Sequence, residues 1–301
     1  MTDELCALFR RNFPFAVREE KTARRVLASA DRVIERRENG RLIGAAAIQN
    51  GAVLLLCVDE AHRRRGVGAS LLREAEEGVW AAGFDEIVVG AGDDYLTPGV
   101  PTSKRYYPAV NEALYPGLDD SASRFFEARG YRHSWDCNCF DMRLSLDECP
   151  APAWRDGDAV NGVVYRWATP TDRAAVCACT DDAWSDFTPY YRDEALYGAS
   201  PSRRVMLAEA DGLAVGALIV SFETEGKGLG SVGCTAVREA YRGRRIAVNL
   251  VSIATGQLKA AGLKDAFLGY TYSGLDYMYG LAGYRICAYY MMAKKARLKG
   301  L

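Results

Sequence analysis

Apolar and polar positions along the chain follow an order that occurs twice. In the first half an uninterrupted apolar run, Ala52–Val58 (AVLLLCV), has the length of a buried strand. It leads into a basic, glycine-containing turn, His62–Ala69 (HRRRGVGA), then a stretch with helical spacing, Ser70–Gly83, then the strand-like Glu86–Gly92 (EIVVGAG). In the second half Gly230–Val237 (GSVGCTAV) leads into Tyr241–Val248 (YRGRRIAV), then Asn249–Gly262, then Asp265–Tyr270 (DAFLGY). Each half closes on an aromatic helix-to-glycine step, Arg124–Arg132 (RFFEARGYR) and Tyr277–Arg285 (YMYGLAGYR). Four elements recurring in one order mark an internal repeat.

Upstream of each repeat a glycine turn opens a strand. Gly40 precedes RLIGAAAIQ, and Asp211-Gly212 splits Leu207–Val220 into a hairpin. Cys149–Gly162 (CPAPAWRDGDAVNG) has no hydrophobic period and reads as a linker. Val163–Trp184 then reads as strand, turn and helix, with Thr171 or Asp172 as the cap. The first half shows no clear strand ahead of its first helix. The expected fold is α/β (α+β): two tandem domains, each a mixed, mostly antiparallel sheet flanked by helices. Their expected bounds are 1–148, a linker at 149–162, and 163–301. The first half carries about 26 more residues between turn and aromatic step than the second, concentrated in the Pro- and Tyr-rich loop 95–117, either a pocket wall or a packing decoration.

Composition narrows the function. A hydrophobic fraction of 49% and a charged fraction of 26% are those of a globular chain, and the longest apolar run is far too short to span a bilayer. The N-terminus MTDELCALFRRNF has no apolar core of a secretory signal, so the expected location is cytoplasmic, with no membrane partner. A net charge of −1 argues against a nucleic-acid-binding surface. The 9 cysteines form no C-x-x-C and have only His62 and His133 as companions, so they read as reduced thiols and no metal is expected.

The candidate chemistry sits in the basic turn. A helix N-terminus presents unpaired amides and partial positive charge, so cations there await an anion. Glycines at 66 and 68 bring the backbone within reach of a ligand. Amides, guanidiniums and missing side chains together describe a phosphate cradle that is neither a nucleotide P-loop nor a G-x-G-x-x-G turn.

The run Val58–Leu72 (VDEAHRRRGVGASLL) resembles the acyl-CoA loop of the GNAT acetyltransferases, whose pattern is Arg/Gln-x-x-Gly-x-Gly/Ala; Arg63, Gly66 and Gly68 match its defined places. The resemblance covers nearly the whole chain as two GNAT-like domains, a layout similar to mycothiol synthase and other two-domain members. It implies an N-acetyltransferase that moves an acetyl group from acetyl-CoA, its co-substrate, to a small-molecule amine by direct attack. It also implies that amides across Arg64, Arg65, Gly66, Val67, Gly68 and Ala69 hold the pyrophosphate, with Arg63 beside them, and that Cys57 and Val58 bond the pantetheine arm and thioester carbonyl. The second copy keeps Arg242 and Ala247 but has Arg245 where the pattern has glycine, so the first copy is the expected cofactor site. The family's acid, a tyrosine before the glycine step, falls on Tyr279 in the second copy and is replaced by Phe126 in the first. Tyr95, Tyr106 or Tyr107 could substitute there. Glu223 and Glu225 are candidate bases, and water is the alternative. A non-catalytic acyl-CoA-binding regulator and an architectural protein with relic loops are the competing readings. The acceptor and the oligomeric state are not written in the sequence.

Overall fold

The structure is a computed structural model describing residues 2–16, 20–90, 95–115, 117–149, 154–198, 202–222 and 228–297. It divides into two compact units. Residues 1–109, 113–140 and 287–301 form unit 1, and residues 110–112 with 141–286 form unit 2.

In unit 1, helices α1 (Thr2–Asn12) and α2 (Glu20–Ala28) precede strands β1 (Arg32–Glu38), β2 (Arg41–Gln49) and β3 (Ala52–Val58). The hairpin turns between them are Asn39-Gly40 and Asn50-Gly51, with both residues of each pair at positive φ, the type I′ geometry that Asn-Gly favours. Helix α3 (Val67–Ala81) crosses to β4 (Glu86–Val89), which pairs parallel to β3. Strand β5 (Val100–Thr102), helix α4 (Ser121–Glu127) and β6 (Arg132–His133) follow. Alternation along β3 sends Leu55 and Cys57 to the α1/α2 face, with Leu5, Phe9 and Val26, and Val53 to the α3 face, with Leu71, Leu72 and Val79. Leu54 shares the face of Leu55 because β3 carries one extra residue between its Val53↔Ile48 and Leu55↔Ala47 pairs.

Unit 2 repeats the plan. Strands β7 (Cys139–Ser145), β8 (Ala159–Val160) and β9 (Val163–Trp167) come first, with Asp141–Ser145 of β7 in this unit. Helices α5 (Arg173–Trp184) and α6 (Thr188–Tyr191) follow. Then come β10 (Arg203–Ala210), β11 (Leu213–Ser221), β12 (Leu229–Val237), helix α7 (Ile246–Ala260), β13 (Asp265–Tyr272) and helix α8 (Leu275–Leu281). From β13 to β8 the sheet order is β13-β12-β11-β10-β9-β8, with only β12 and β13 parallel. The repeat extends to single contacts. A Cβ at Gly44 would lie 3.0 Å from Val67, 3.1 Å from Leu71 and 3.2 Å from the Cys57 carbonyl; at Gly216 the same distances separate it from Ile246, Leu250 and the Ala236 carbonyl.

The structure departs from the sequence reading in three places. Residues 287–301, expected to close the second domain, lie in unit 1, where β15 (Ala293–Ala296) sits between β4 and β6. Residues 289–291 of β14 (Arg285–Met291) pair there with β5. Hydrogen-bond partners place a strand, and chain order does not reveal them. The expected linker ends in the hairpin β8–β9, turned by Asn161-Gly162. Asp172 does stand at the N-cap of α5, as expected, but its side chain makes no cap bond to that helix; it accepts from the Thr169 amide at 2.7 Å and completes a capping box on the 3₁₀ turn Pro170–Asp172 instead. Among the described residues no helix is long and apolar enough to cross a membrane, and no His/Cys/Asp/Glu cluster could hold a metal ion.

Candidate active site

Each unit carries a strand–turn–helix junction behind which two parallel strands part. In the first copy the turn places Arg64 at φ 62 and Gly66 at φ 82. In the second, Gly243 has φ 78 and Arg245 φ 60. The two turns thus share one backbone form, needing left-handed residues at its second and fourth places, with glycine taking a different one in each copy. Arg245 does not plug the turn; its side chain is exposed. The first helical turn is open in both copies, since the first intrahelical bonds run from Ser70 N to Gly66 O and from Asn249 N to Arg245 O, both 3.0 Å. The amides of Val67, Gly68 and Ala69, and of Ile246, Ala247 and Val248, lie ahead of them.

The first arginine of each motif bonds back to the strand and to an earlier helix. Arg63 Nε donates to the Val58 carbonyl at 3.2 Å and its Nη2 to Asn12 Oδ1 at 2.9 Å. Arg242 does the same with Val237 O at 3.4 Å and Ala183 O at 3.1 Å. In both copies this arginine braces the end of the strand to the C-terminal end of the unit's first helix segment. A Cβ at Gly66 would meet nothing within 4 Å, whereas at Gly68 it would touch Phe125 and Val58 at 3.6 Å, ordinary contact that alanine tolerates, as Ala247 does in the second copy. Arg64 and Arg65 are exposed, and Val67 and Ala69 half-buried.

Behind the turns the copies diverge. In unit 1, β3 and β4 pair only at Ala52↔Val88 and Val53↔Val89. Beyond these pairs Leu54, Leu55, Leu56, Leu96, Val100 and Phe126 line a pocket with mainly apolar walls. A Cβ on Gly90, at the end of β4, would lie 2.6 Å from the Gly99 Cα, so the Pro98–Gly99 backbone closes over the strand. Cys57 is buried, which pushes its thiol up to about 12. Phe126 is also buried. Tyr106 and Tyr107 donate their hydroxyls to Glu127 (3.1 Å) and the Trp135 carbonyl (3.2 Å), and Tyr95 is half-buried.

In unit 2, β12 and β13 part after Ser231↔Phe267. A Cβ at Gly233 would meet nothing within 4 Å. On β12, Cys234 and Thr235 together oppose Leu218, a bulge with Cys234 at φ 50; on β13, Tyr270 has φ 58. Such residues cost about 1–3 kcal/mol each and persist where their surroundings hold them. Tyr191, fully buried, donates its hydroxyl to the Cys234 carbonyl at 2.6 Å, and its own carbonyl accepts from Tyr197 at 2.9 Å. A bulge leaves its extra residue outside the ladder, here next to Gly233. Tyr279, on α8, is 5% exposed and lies 3.2 Å, hydroxyl to hydroxyl, from Thr235. Burial pushes its phenol up to about 12, against the Thr235 hydrogen bond, so it carries its proton at neutral pH. Burial raises the Cys234 thiol to about 11.

Sequence reasoning placed Tyr279 and both turns, but Tyr279 and the residue 57–69 cluster belong to different units. It missed Thr235, Tyr191 and the bulge. The signal for the bulge was G-x-x-G-C-T inside a strand, where small residues mark an irregular or ligand-facing stretch. Glu223 and Glu225 lie outside the described residues.

A parting parallel strand pair feeding an open helix N-terminus, built twice in one chain, defines a tandem acyltransferase-type architecture. Comparison with known families agrees: residues 1–95 match the acetyltransferase (GNAT) domain and residues 162–276 the acetyltransferase (GNAT) family, and the chain belongs to that family. Among solved structures it is similar to three proteins. With the tandem GNAT protein of the clavulanic acid biosynthesis pathway the TM-score is 0.66 at 17% identity, covering 98% of this chain and 94% of that one. With a GCN5-related N-acetyltransferase from Sphaerobacter thermophilus it is 0.64 at 21%, covering 92% and 85%. With a GCN5-related glucosamine N-acetyltransferase region of a fungal multi-domain β-N-acetylglucosaminidase it is 0.70 at 20%, covering 97% of this chain and 36% of that one, so this chain spans about a third of that protein. At these identities the likeness is one of fold. No curated protein sequence matches.

Proposed function

We propose that the chain is an N-acetyltransferase that moves an acetyl group from acetyl-CoA to the amine of a small molecule, with the chemistry in unit 2. The carrying observation is the phenol of Tyr279 beside Thr235, on the strand that parts from β13 after Ser231 and bulges at Cys234. The donor's pyrophosphate lies on the amides of Ile246–Val248, and its pantetheine arm runs along Gly233 toward the bulge. The amine, its proton taken up by water, attacks the thioester carbon. Backbone amides at the bulge receive the developing oxyanion. The C–S bond breaks, and Tyr279 donates to the departing thiolate. No acyl-enzyme is formed, because the raised thiols of Cys57 and Cys234 are protonated and poor nucleophiles.

The geometry favours the second copy over the first as the catalytic one. The turn around Arg63–Ala69 offers equivalent amides, but the place that Tyr279 takes in unit 2 is held in unit 1 by the buried Phe126, which has no proton to give. The free thiols of all nine cysteines fit a reducing, cytoplasmic setting.

The test incubates the full chain with acetyl-CoA and a panel of amines, glucosamine first, and reads free thiol. Turnover that Tyr279→Phe abolishes supports the proposal. Stabilisation by acetyl-CoA with no thiol released for any amine would instead make the chain a binding protein.

A further inference from the structure

We propose that Val110 and Asn111, at the middle of the inserted loop, are positioning residues for Tyr279, acting by fixing the short helix that carries it. The inference rests on the reading of Tyr279 as the acid. Helix α8 has 7 residues, too few to be stable by its own hydrogen bonds. Its N-terminal turn is held by Asp276, a carboxylate only 1% exposed. Asp276 Oδ1 accepts from the Gly274 amide at 3.1 Å and Oδ2 from the Val110 amide at 2.8 Å. The Asp276 carbonyl accepts from Asn111 Nδ2 at 2.8 Å. One turn on, a Cβ at Gly280 would lie 2.9 Å from that same Nδ2, so the Asn111 carboxamide occupies the place of a side chain next to Tyr279. Residues 110–112 belong to unit 2, with α8. The loop's middle therefore grips α8 at both ends of the segment containing Tyr279.

The consequence is electrostatic as well as geometric. The titratable groups facing the phenol are Cys234 on β12, Tyr272 on β13, and Tyr284 and Tyr191, with Thr235 as its hydrogen-bond partner. None is a cation, so exclusion of water is what keeps the proton on Tyr279. A helix released by the loop admits water and lets the phenol ionise more easily.

Two readouts test this on the full chain. In protein carrying 13C-ring-labelled tyrosine, the Tyr279 resonance is the one lost in Tyr279→Phe. In Asn111→Ala its titration midpoint should move down by at least about one pH unit, with the remaining tyrosines unmoved. With an amine that the chain turns over, Asn111→Ala should lower kcat roughly tenfold or more while leaving the KM for acetyl-CoA unchanged. Gly280→Ala supplies a second variant. It should displace the carboxamide and reproduce the Tyr279 shift in the native background, and add nothing once residue 111 is alanine. An unmoved Tyr279 resonance in both single variants overturns the inference even if Tyr279→Phe abolishes turnover. Turnover unaffected by Tyr279→Phe instead removes the acid role, while the titration still decides whether Asn111 holds the phenol.

Discussion

The two strand–turn–helix junctions have the same backbone and different interiors. Both turns require two left-handed residues, filled as Arg64 and Gly66 in one copy and Gly243 and Arg245 in the other. Both use an arginine, Arg63 or Arg242, to tie the strand end to a preceding helix segment. Behind the first turn stand Leu54, Leu55 and Leu56, with Leu96 and Val100 beside them; behind the second stand Gly233, Cys234 and Thr235 with open space beside the glycine. The comparison teaches that the phosphate-loop motif reports the turn and says little about the gap. A conforming loop can front a strand of large apolar side chains, and a departing loop a strand of small ones.

The largest effect that could break this comparison is on turnover. Tyr279→Phe should lower kcat by about 10²-fold or more, the range of a lost general acid, while Phe126→Tyr in the first copy should restore none of it. If Phe126→Tyr rescues thiol release in a Tyr279→Phe background, the assignment of the chemistry to unit 2 is wrong.

Next comes donor binding. A carboxylate in place of Ala247 repels an anion and crowds the helix N-terminus, so Ala247→Glu should abolish the rise in melting temperature produced by acetyl-CoA. Gly68→Glu, at the matching place of the first copy, should leave that rise in place. The reverse pattern would return the cofactor to residues 63–69.

A smaller effect concerns the bulge. Tyr191→Phe leaves the Cys234 carbonyl without its buried donor, a loss of about 1–3 kcal/mol measurable by urea unfolding. The groove opening should loosen with it and acetyl-CoA affinity fall, whereas Tyr106→Phe in unit 1 should alter stability without changing that affinity.

Alkaline pH gives a stability check across both copies. Tyr279, Tyr284 and Tyr191 in unit 2 and Tyr131 in unit 1 all have phenols raised by burial. Above pH 10 the unfolded chain releases these protons while the folded chain retains them, so stability should fall as pH rises beyond 10. A flat unfolding free energy between pH 9 and about 11 would contradict the burial of these groups. The smallest effect is local. Arg245→Gly should relieve the left-handed strain and raise stability by about 1 kcal/mol or less, as should Arg64→Gly, because the turns are equivalent.

Without showing α1, α2, β1 or the strands after Arg285, the sequence by itself determined the repeat, the strand–turn–helix–strand core of both copies, the hairpin turns at Gly40 and Asp211-Gly212, the two basic turns, and the place of Tyr279 at the aromatic step. These depend on period, turn chemistry and local spacing, which short stretches of chain carry. Only the tertiary structure decided which side chains gather behind each turn, because Leu96 and Val100, about 40 residues beyond β3, line the pocket beside it. It likewise decided that residues 287–297 lie in unit 1, that Arg63 donates to Asn12, and that Tyr191 bonds the bulged Cys234. Each of these is a contact between residues distant in sequence, fixed by packing and hydrogen-bond partners that no local pattern encodes.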